Sequence, residues 1–123
     1  GRRMIQTSPT MRILVAVEPV DFRRGIDGLA AVCRQQLASD PMNGWAFVFR
    51  NRLGTAVKIL LYDGQGFWLC HKRLSSGKYR WWPTGDQPPG RFLQSHQLHV
   101  LLSGGDPETA QGAPLWRPVL NGP

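Results

Sequence analysis

The middle of the chain, residues 45–83, alternates short aromatic and β-branched runs with turn residues, which is typical of an antiparallel meander. The runs predict strands over residues 45–51, 57–62 and 67–74, because glycine-containing turn sequences separate them. After a further turn, residues 78–82 are consistent with a fourth short strand that Pro83 closes. The pattern therefore predicts a sheet of at least three strands.

The segment before the meander predicts one strand and one helix. Residues 11–17, MRILVAV, form a continuous apolar run of strand length. From Phe22 to Leu37 apolar residues recur at helical spacing, with charged residues on the other side. Asp21 is placed to cap this helix, and Asp40-Pro41 limits its end.

After the meander, apolar residues between Phe92 and Leu102 are compatible with a short helix stopped by Gly104-Gly105. The predicted fold is α+β, with a mainly antiparallel sheet of three to five strands, one long helix packed on it and a short C-terminal helix. We expect residues 1–10 to be flexible and residues 11–105 to form a single domain. The Pro- and Gly-rich residues 106–123 are expected to be disordered.

Positive charge is concentrated in the meander. The formal net charge is +7, and residues 46–82 hold seven cations against one acid, Asp63. Because alternate turns of a meander lie on the same side, we expect the cations at one end of the sheet and Asp63 at the other. We call the predicted cluster the basic end; it consists of Arg50, Arg52, Lys58, Lys72, Arg73, Lys78 and Arg80.

Uncompensated like charges repel, so such a cluster indicates an anionic partner. The alternative is that strand ends carry solvated cations that discourage edge-to-edge aggregation. Tyr79, Trp81 and Trp82 are interleaved with cations and are candidates for stacking on bases. Since adjacent strand residues face opposite sides, we expect one of the two tryptophans to be exposed. Arg23 and Arg24 could also bind phosphate, although a solvated face with Asp27 as counter-ion is the more ordinary interpretation.

The sequence contains no catalytic or phosphate-loop motif, and its few acids are explicable as capping or turn residues. We therefore predict a protein that is not an enzyme and binds no cofactor. One constellation resembles a metal site, since Cys70, His71, His96 and His99 could meet if the late helix crosses the third strand of the meander. A buried thiol and ordinary polar histidines are the competing interpretation.

The cysteines and the N-terminal residues bear on the compartment. Cys33 and Cys70 fall in a predicted helix and a predicted strand, which suits buried free thiols in a reducing cytoplasm. The residues after Gly1-Arg2-Arg3 are too polar for a signal peptide, and no apolar run is long enough to span a membrane. We expect a cytoplasmic protein without a membrane partner.

Three blocks of sequence identify a family resemblance over about residues 11–105: VDFRRGIDGLAAVC, WAFVFRNRLGTAVKILLYDGQGFWLCHKRLSSGKYRWWP and QLHVLLSGGD. In this order they resemble the TnpB-type accessory proteins, encoded by the second open reading frame, of the sixty-six family of bacterial insertion sequences. The family pattern usually has Met and Lys where this chain has Phe22 and Arg24. The resemblance implies a protein encoded beside a DDE-type transposase and needed for efficient movement of the element, with no established catalytic residues.

The resemblance makes DNA the natural polyanion for the basic end. The leading hypothesis is a non-enzymatic accessory factor for transposition whose seven cations contact phosphates, with Trp81 or Trp82 adding a stacking contact. The alternative is an interaction subunit that binds the transposase or a second copy of itself. A small nuclease ranks third, because the acids that would hold Mg²⁺ are scattered. No small-molecule substrate is expected.

Overall fold

Residues 11–109, the part of the chain that the computed structural model describes, form five strands and two helices. In chain order they are β1 (Ile13–Ala16), α1 (Ile26–Gln35), β2 (Ala46–Arg50), β3 (Ala56–Tyr62), β4 (Phe67–Arg73), β5 (Gly90–Leu93) and α2 (Ser95–Leu102). The predicted flexible segment 1–10 and residues 110–123 of the predicted tail lie outside the described residues.

The strands form one sheet in the order β4-β3-β2-β1-β5. The β2, β3 and β4 strands pair in antiparallel fashion as the predicted meander. The β1 and β2 strands are parallel, and α1 lies in the connection between them. The β5 strand pairs antiparallel with the outer side of β1. The predicted α+β class with a mainly antiparallel sheet is confirmed.

Both faces of the sheet are covered by apolar residues. On one face α1 packs through Leu29 and Cys33 on side chains such as Phe47, Phe49 and Leu60. On the other face α2 packs on a second cluster; its buried members are Ile13, Val15, Ala46, Val48, Val57, Leu93, Leu98 and Leu101. Strands buried on both faces explain why β1 and β2 read as continuous apolar runs.

The α1 helix begins at Ile26, so the predicted start at Phe22 was wrong, and at ten residues the helix is shorter than expected. The carboxylate of Asp21 does not cap it. Instead it accepts hydrogen bonds from the backbone N–H and guanidinium of Arg23, and it holds a turn that precedes the helix. Gly25 occupies the N-cap position without any side-chain cap.

Residues 78–82 are not a strand, which corrects the fourth strand of the predicted meander. The backbone N–H of Tyr79 bonds to the carbonyl of Gly54, at the β2–β3 turn, and the following residues cross the face of the sheet that carries α2. Packing of three aromatic rings on that face replaces edge pairing with β4.

The predicted late helix was partly wrong, because Phe92 and Leu93 belong to β5. Their burial alternates, with Phe92 half exposed and Leu93 buried, as a strand requires. The α2 helix starts after Gln94, whose side chain and that of Gln97 form a reciprocal capping box. No helix within residues 11–109 has the length and apolar character needed to cross a membrane.

Candidate nucleic-acid interface

The register of the meander places the cations of its strands at one end of the sheet. Arg50 pairs with Val57, which in turn pairs with Lys72 on its other side. Arg73 pairs with Ala56, the first residue of β3. Asp63 lies in the opposite turn, where its carboxylate accepts hydrogen bonds from the backbone N–H groups of residues 65 and 66. These bonds lower the pKa of Asp63. The one acid of the meander therefore lies at the end of the sheet opposite the basic end.

The β2–β3 turn carries Arg52 and is held by Asn51. The side-chain oxygen of Asn51 accepts the backbone N–H groups of Thr55 and Ala56 at 2.9 and 3.1 Å, and its amide nitrogen donates to the Thr55 hydroxyl. The bond from Tyr79 to the carbonyl of this turn brings the residues on either side of Tyr79 beside it. Lys78 and Arg80 thus join the basic end although they lie in no strand.

Five of the seven cations are exposed: Arg52, Lys72, Arg73, Lys78 and Arg80. Two ion pairs form within residues 11–109, Arg23 with Asp21 and Arg91 with Glu108, and neither involves the basic end. Lys72 donates to the carbonyl of Leu102 at 2.6 Å, which orients its ammonium without neutralising it. The exposed cations therefore keep their charge available to an anion.

Lys58 differs from these five, because its side chain is directed into the α1 face and it is only 8% exposed. Its Nζ donates to the carbonyls of Phe22 and Arg24, both at 2.9 Å. Its charge contributes to the field of the basic end, but its donors are engaged inside the protein.

Arg50 is also partly withdrawn from the surface. Its Nη2 donates to the carbonyl of Val17 at 3.3 Å, and its Cζ lies 5.9 Å from the centroid of the Trp82 ring. Its Nε is buried without a hydrogen-bond partner. Burial lowers the pKa of Arg50, and the nearby charge of Glu18 acts in the opposite direction.

Neither Trp81 nor Trp82 is exposed, so the expectation that one would be was wrong. Both pack on the cluster under α2, which the irregular backbone of this segment permits and a strand would not. The indole N–H of Trp82 donates to the carbonyl of Ala16 at 2.7 Å. The guanidinium of Arg91 lies 5.6 Å from the Trp81 ring centroid. Tyr79 packs beside them, and burial raises the pKa of its hydroxyl.

Arg23 and Arg24 lie before α1, at the basic end's side of the molecule. The counter-ion of Arg23 is Asp21, at 2.6 Å, rather than the predicted Asp27. Arg24 donates to the carbonyl of Gly28, and its own carbonyl receives Lys58.

Sequence reasoning missed a cluster of one cation and two aromatic rings at the opposite end of the sheet. The Arg12 guanidinium lies 5.7 Å from the Trp45 ring centroid and 5.4 Å from that of Phe92, and the two rings are 5.3 Å apart. These residues are distant in sequence, and only the β5–β1–β2 order brings them together.

The residues of the possible metal site are not brought together. His71 packs its ring edge-on against Phe22 at 5.5 Å on the α1 face, so the neighbouring Cys70 belongs to the other face of β4. His96 and His99 are exposed on α2. Across residues 11–109 no three His, Cys, Asp or Glu side chains are close enough to hold a metal ion.

Comparisons with known proteins identify relatives over nearly the whole chain. The chain is 36% identical over 116 residues to the uncharacterized protein y4jC of Sinorhizobium fredii, covering 94% of this chain and 97% of that protein. It is 34% identical over 119 residues to the uncharacterized protein y4hO of the same organism, covering 97% and 100% of the two chains. No solved structure matches. The family model described as "IS66 Orf2 like protein" matches residues 11–112, and the chain therefore belongs to that family of insertion-sequence proteins.

Proposed function

We propose that this protein is a non-enzymatic accessory factor for transposition that binds DNA through the basic end. Membership of the IS66 Orf2-like family supports the role in transposition. The observation that supports DNA as a direct partner is the convergence of exposed cations at one end of the sheet without ion-pair partners among the described residues. Phosphate groups are the ligands that such cations fit.

The proposed contact set is the five exposed cations Arg52, Lys72, Arg73, Lys78 and Arg80. Lys58 is left out because its ammonium already donates to two backbone carbonyls. Arg50 is left out because its guanidinium donates to the carbonyl of Val17 and lies near the Trp82 ring. Trp81 and Trp82 are assigned to the support of the surface rather than to stacking on bases. A surface of phosphate-directed cations positions a protein on DNA without reading sequence, so sequence preference should be weak.

The test is fluorescence anisotropy of labelled duplex and single-stranded DNA, titrated with the full chain at several salt concentrations. If four or five of these cations neutralise phosphates of a duplex, log K should fall against log salt with a slope of about −3.6 to −4.5. Alanine at Arg52, Arg73, Lys78 or Arg80 should reduce that slope by about one unit each.

The matched control is Arg34→Ala, which removes one exposed cation from the last turn of α1, at the other end of the molecule. It should leave the salt slope unchanged. Absence of binding to either form of DNA at low salt would overturn the proposal. If Arg34→Ala reduces the salt slope as much as the basic-end variants do, DNA binding would depend on the net charge of the protein and not on the basic end.

The cognate DDE-type transposase is the second proposed partner, and in this alternative the same cations would meet an acidic patch on it. Pull-down of the transposase by a variant that no longer binds DNA separates the two. Retained capture by that variant assigns the cations to DNA. If the wild type itself binds no DNA, loss of capture in the basic-end variants assigns the cations to the transposase.

A further inference from the structure

The β4 strand lies at an edge of the sheet and its outer side is unpaired within residues 11–109. It has seven residues, whereas β5 at the other edge has four. Long, unpaired edge strands are templates for pairing with another chain. The phase of the hydrogen bonds at this edge decides which backbone groups are available.

That phase follows from two bonds at the ends of the β3–β4 ladder. The N–H of Leu74 donates to the carbonyl of Thr55, and the N–H of Asp63 donates to the carbonyl of Gly66. Successive residues of a strand direct their backbone groups to opposite sides, so residues 66, 68, 70, 72 and 74 face β3. The outward N–H and C=O groups therefore belong to Phe67, Leu69, His71 and Arg73.

We propose that two copies of this chain pair through β4, in antiparallel orientation, with Cys70 opposite Cys70 of the second copy. In this register the outward residues oppose one another as antiparallel hydrogen bonding requires, and all seven residues of β4 are paired. Shifting the two-fold axis by one residue in either direction would pair only five of them.

The side chains of β4 are complementary to themselves in that register. Phe67 lies opposite Arg73, Trp68 opposite Lys72, and Leu69 opposite His71. Each cation or histidine thus meets an apolar or aromatic side chain of the other copy, and no cation meets a cation. Directly opposed aromatic–cation pairs on one face of a sheet are favourable, whereas like charges are not. Trp68 is 46% exposed, so it has surface left to cover.

The pairing axis is perpendicular to the sheet, so the two five-stranded sheets become one sheet of ten strands. Both α1 helices lie on the same face. Because the two β4 strands run in opposite directions, the two basic ends point away from each other. With the proposed DNA function, the dimer would hold two separate duplexes; the pairing itself does not depend on DNA and is tested without it.

The first experiment is sedimentation velocity of the full chain over a range of concentrations, with two variants at one position. His71→Pro removes an outward N–H while leaving the bonds to β3 in place. His71→Ala removes the exposed side chain but keeps that N–H. We expect a concentration-dependent dimer for the wild type and for His71→Ala, and a monomer for His71→Pro.

The second experiment reports the register and keeps the test valid if His71→Pro fails to fold. Directly opposed residues in a non-hydrogen-bonded antiparallel pair have Cα atoms about 4.5 Å apart, within the range that a disulfide spans. Copper-phenanthroline, as the oxidant of two thiols, should cross-link the wild type and Cys33→Ser but not Cys70→Ser. A monomer at every concentration, a dimer that persists in folded His71→Pro, or the absence of a Cys70 cross-link would overturn the proposal.

Discussion

The ammonium of Lys58 lies 2.9 Å from the carbonyl oxygen of Phe22 and 4.9 Å from the centroid of the Phe22 ring. A second bond of 2.9 Å reaches the carbonyl of Arg24. One side chain of β3 thereby holds both ends of the short segment that leads into α1. Lys58 was expected to be a surface cation, and the structure gives it a role in positioning the polypeptide.

Lys58→Met should lower the free energy of unfolding by about 1–3 kcal/mol, because two charge-assisted hydrogen bonds are lost while the aliphatic stem is kept. The salt slope of DNA binding should stay close to that of the wild type, since the Lys58 donors are engaged inside the protein. Urea denaturation measures the first quantity and anisotropy the second.

The matched control is the same change at Lys72, whose ammonium is exposed and bonds a single carbonyl. Lys72→Met should change stability by less than about 1 kcal/mol and reduce the salt slope by about one unit. A reversal of the two patterns would mean that Lys58, not Lys72, reaches phosphate.

Ala38 follows α1, which ends at Gln35, and has a positive φ of 50°. The left-handed region raises the free energy of an L-residue in the folded state by about 1–2 kcal/mol, and glycine avoids this cost. Glycine also makes the unfolded chain more flexible, which offsets part of the gain in stability. Ala38→Gly should therefore raise the free energy of unfolding, by about 0.5–1 kcal/mol.

The matched control is Ala31→Gly, the same substitution at a position inside α1. Its effect on the free energy of unfolding should have the opposite sign. It should lower stability by about 1 kcal/mol, the usual cost of glycine in a helix interior. If both variants lose stability in urea denaturation, the chain after α1 does not hold residue 38 in the left-handed region.

The fold could be predicted where the sequence pattern is local. The β2–β3–β4 meander follows from short apolar runs separated by turn residues, and the position of Asp63 opposite the basic end follows from antiparallel pairing alone. The start of α1 was missed because an aspartate before an apolar periodic run fits two outcomes, a helix cap or a turn. Only the engagement of Asp21 by Arg23 decides between them.

The surface was harder to predict than the strands. The spacing of cations along the sequence does not show which of them a helix covers. The sequence therefore could not indicate that Lys58 is buried whereas Lys72 is exposed. Trp82 was predicted to be a strand residue, whereas its indole N–H donates to the carbonyl of Ala16, 66 residues earlier in the sequence. Such long-range polar contacts leave no periodic signal.

Asp21 should make stability depend on acid pH. Mainly because the Arg23 side chain donates hydrogen bonds to its carboxylate, the pKa of Asp21 is lowered from 3.8 to about 2. Because the folded pKa lies below the unfolded one, its contribution is fully present above about pH 4 and disappears as pH falls towards 2. Asp21→Asn should thus be less stable than the wild type at neutral pH and converge with it near pH 2.

Thermal unfolding of both proteins between pH 2 and 7 measures this difference. Arg23→Gln is the partner control, since it removes the same interaction from the other side and should show the same convergence. A difference in midpoint between wild type and Asp21→Asn that stays constant down to pH 2 would assign the effect of the substitution to the turn geometry rather than to the charge.

The two cysteines should differ strongly in reactivity. Cys33 is fully buried under α1, and burial raises the pKa of its thiol to about 12, whereas Cys70 lies partly exposed on the edge strand β4. Since the thiolate is the reactive form, iodoacetamide at pH 8 should label Cys70 alone in the native protein. Mass spectrometry of the labelled peptides should show Cys33 modified only in denaturant. Cys33→Ser is the control that should leave native labelling unchanged, and rapid native modification of Cys33 would contradict the packing of α1 on the sheet.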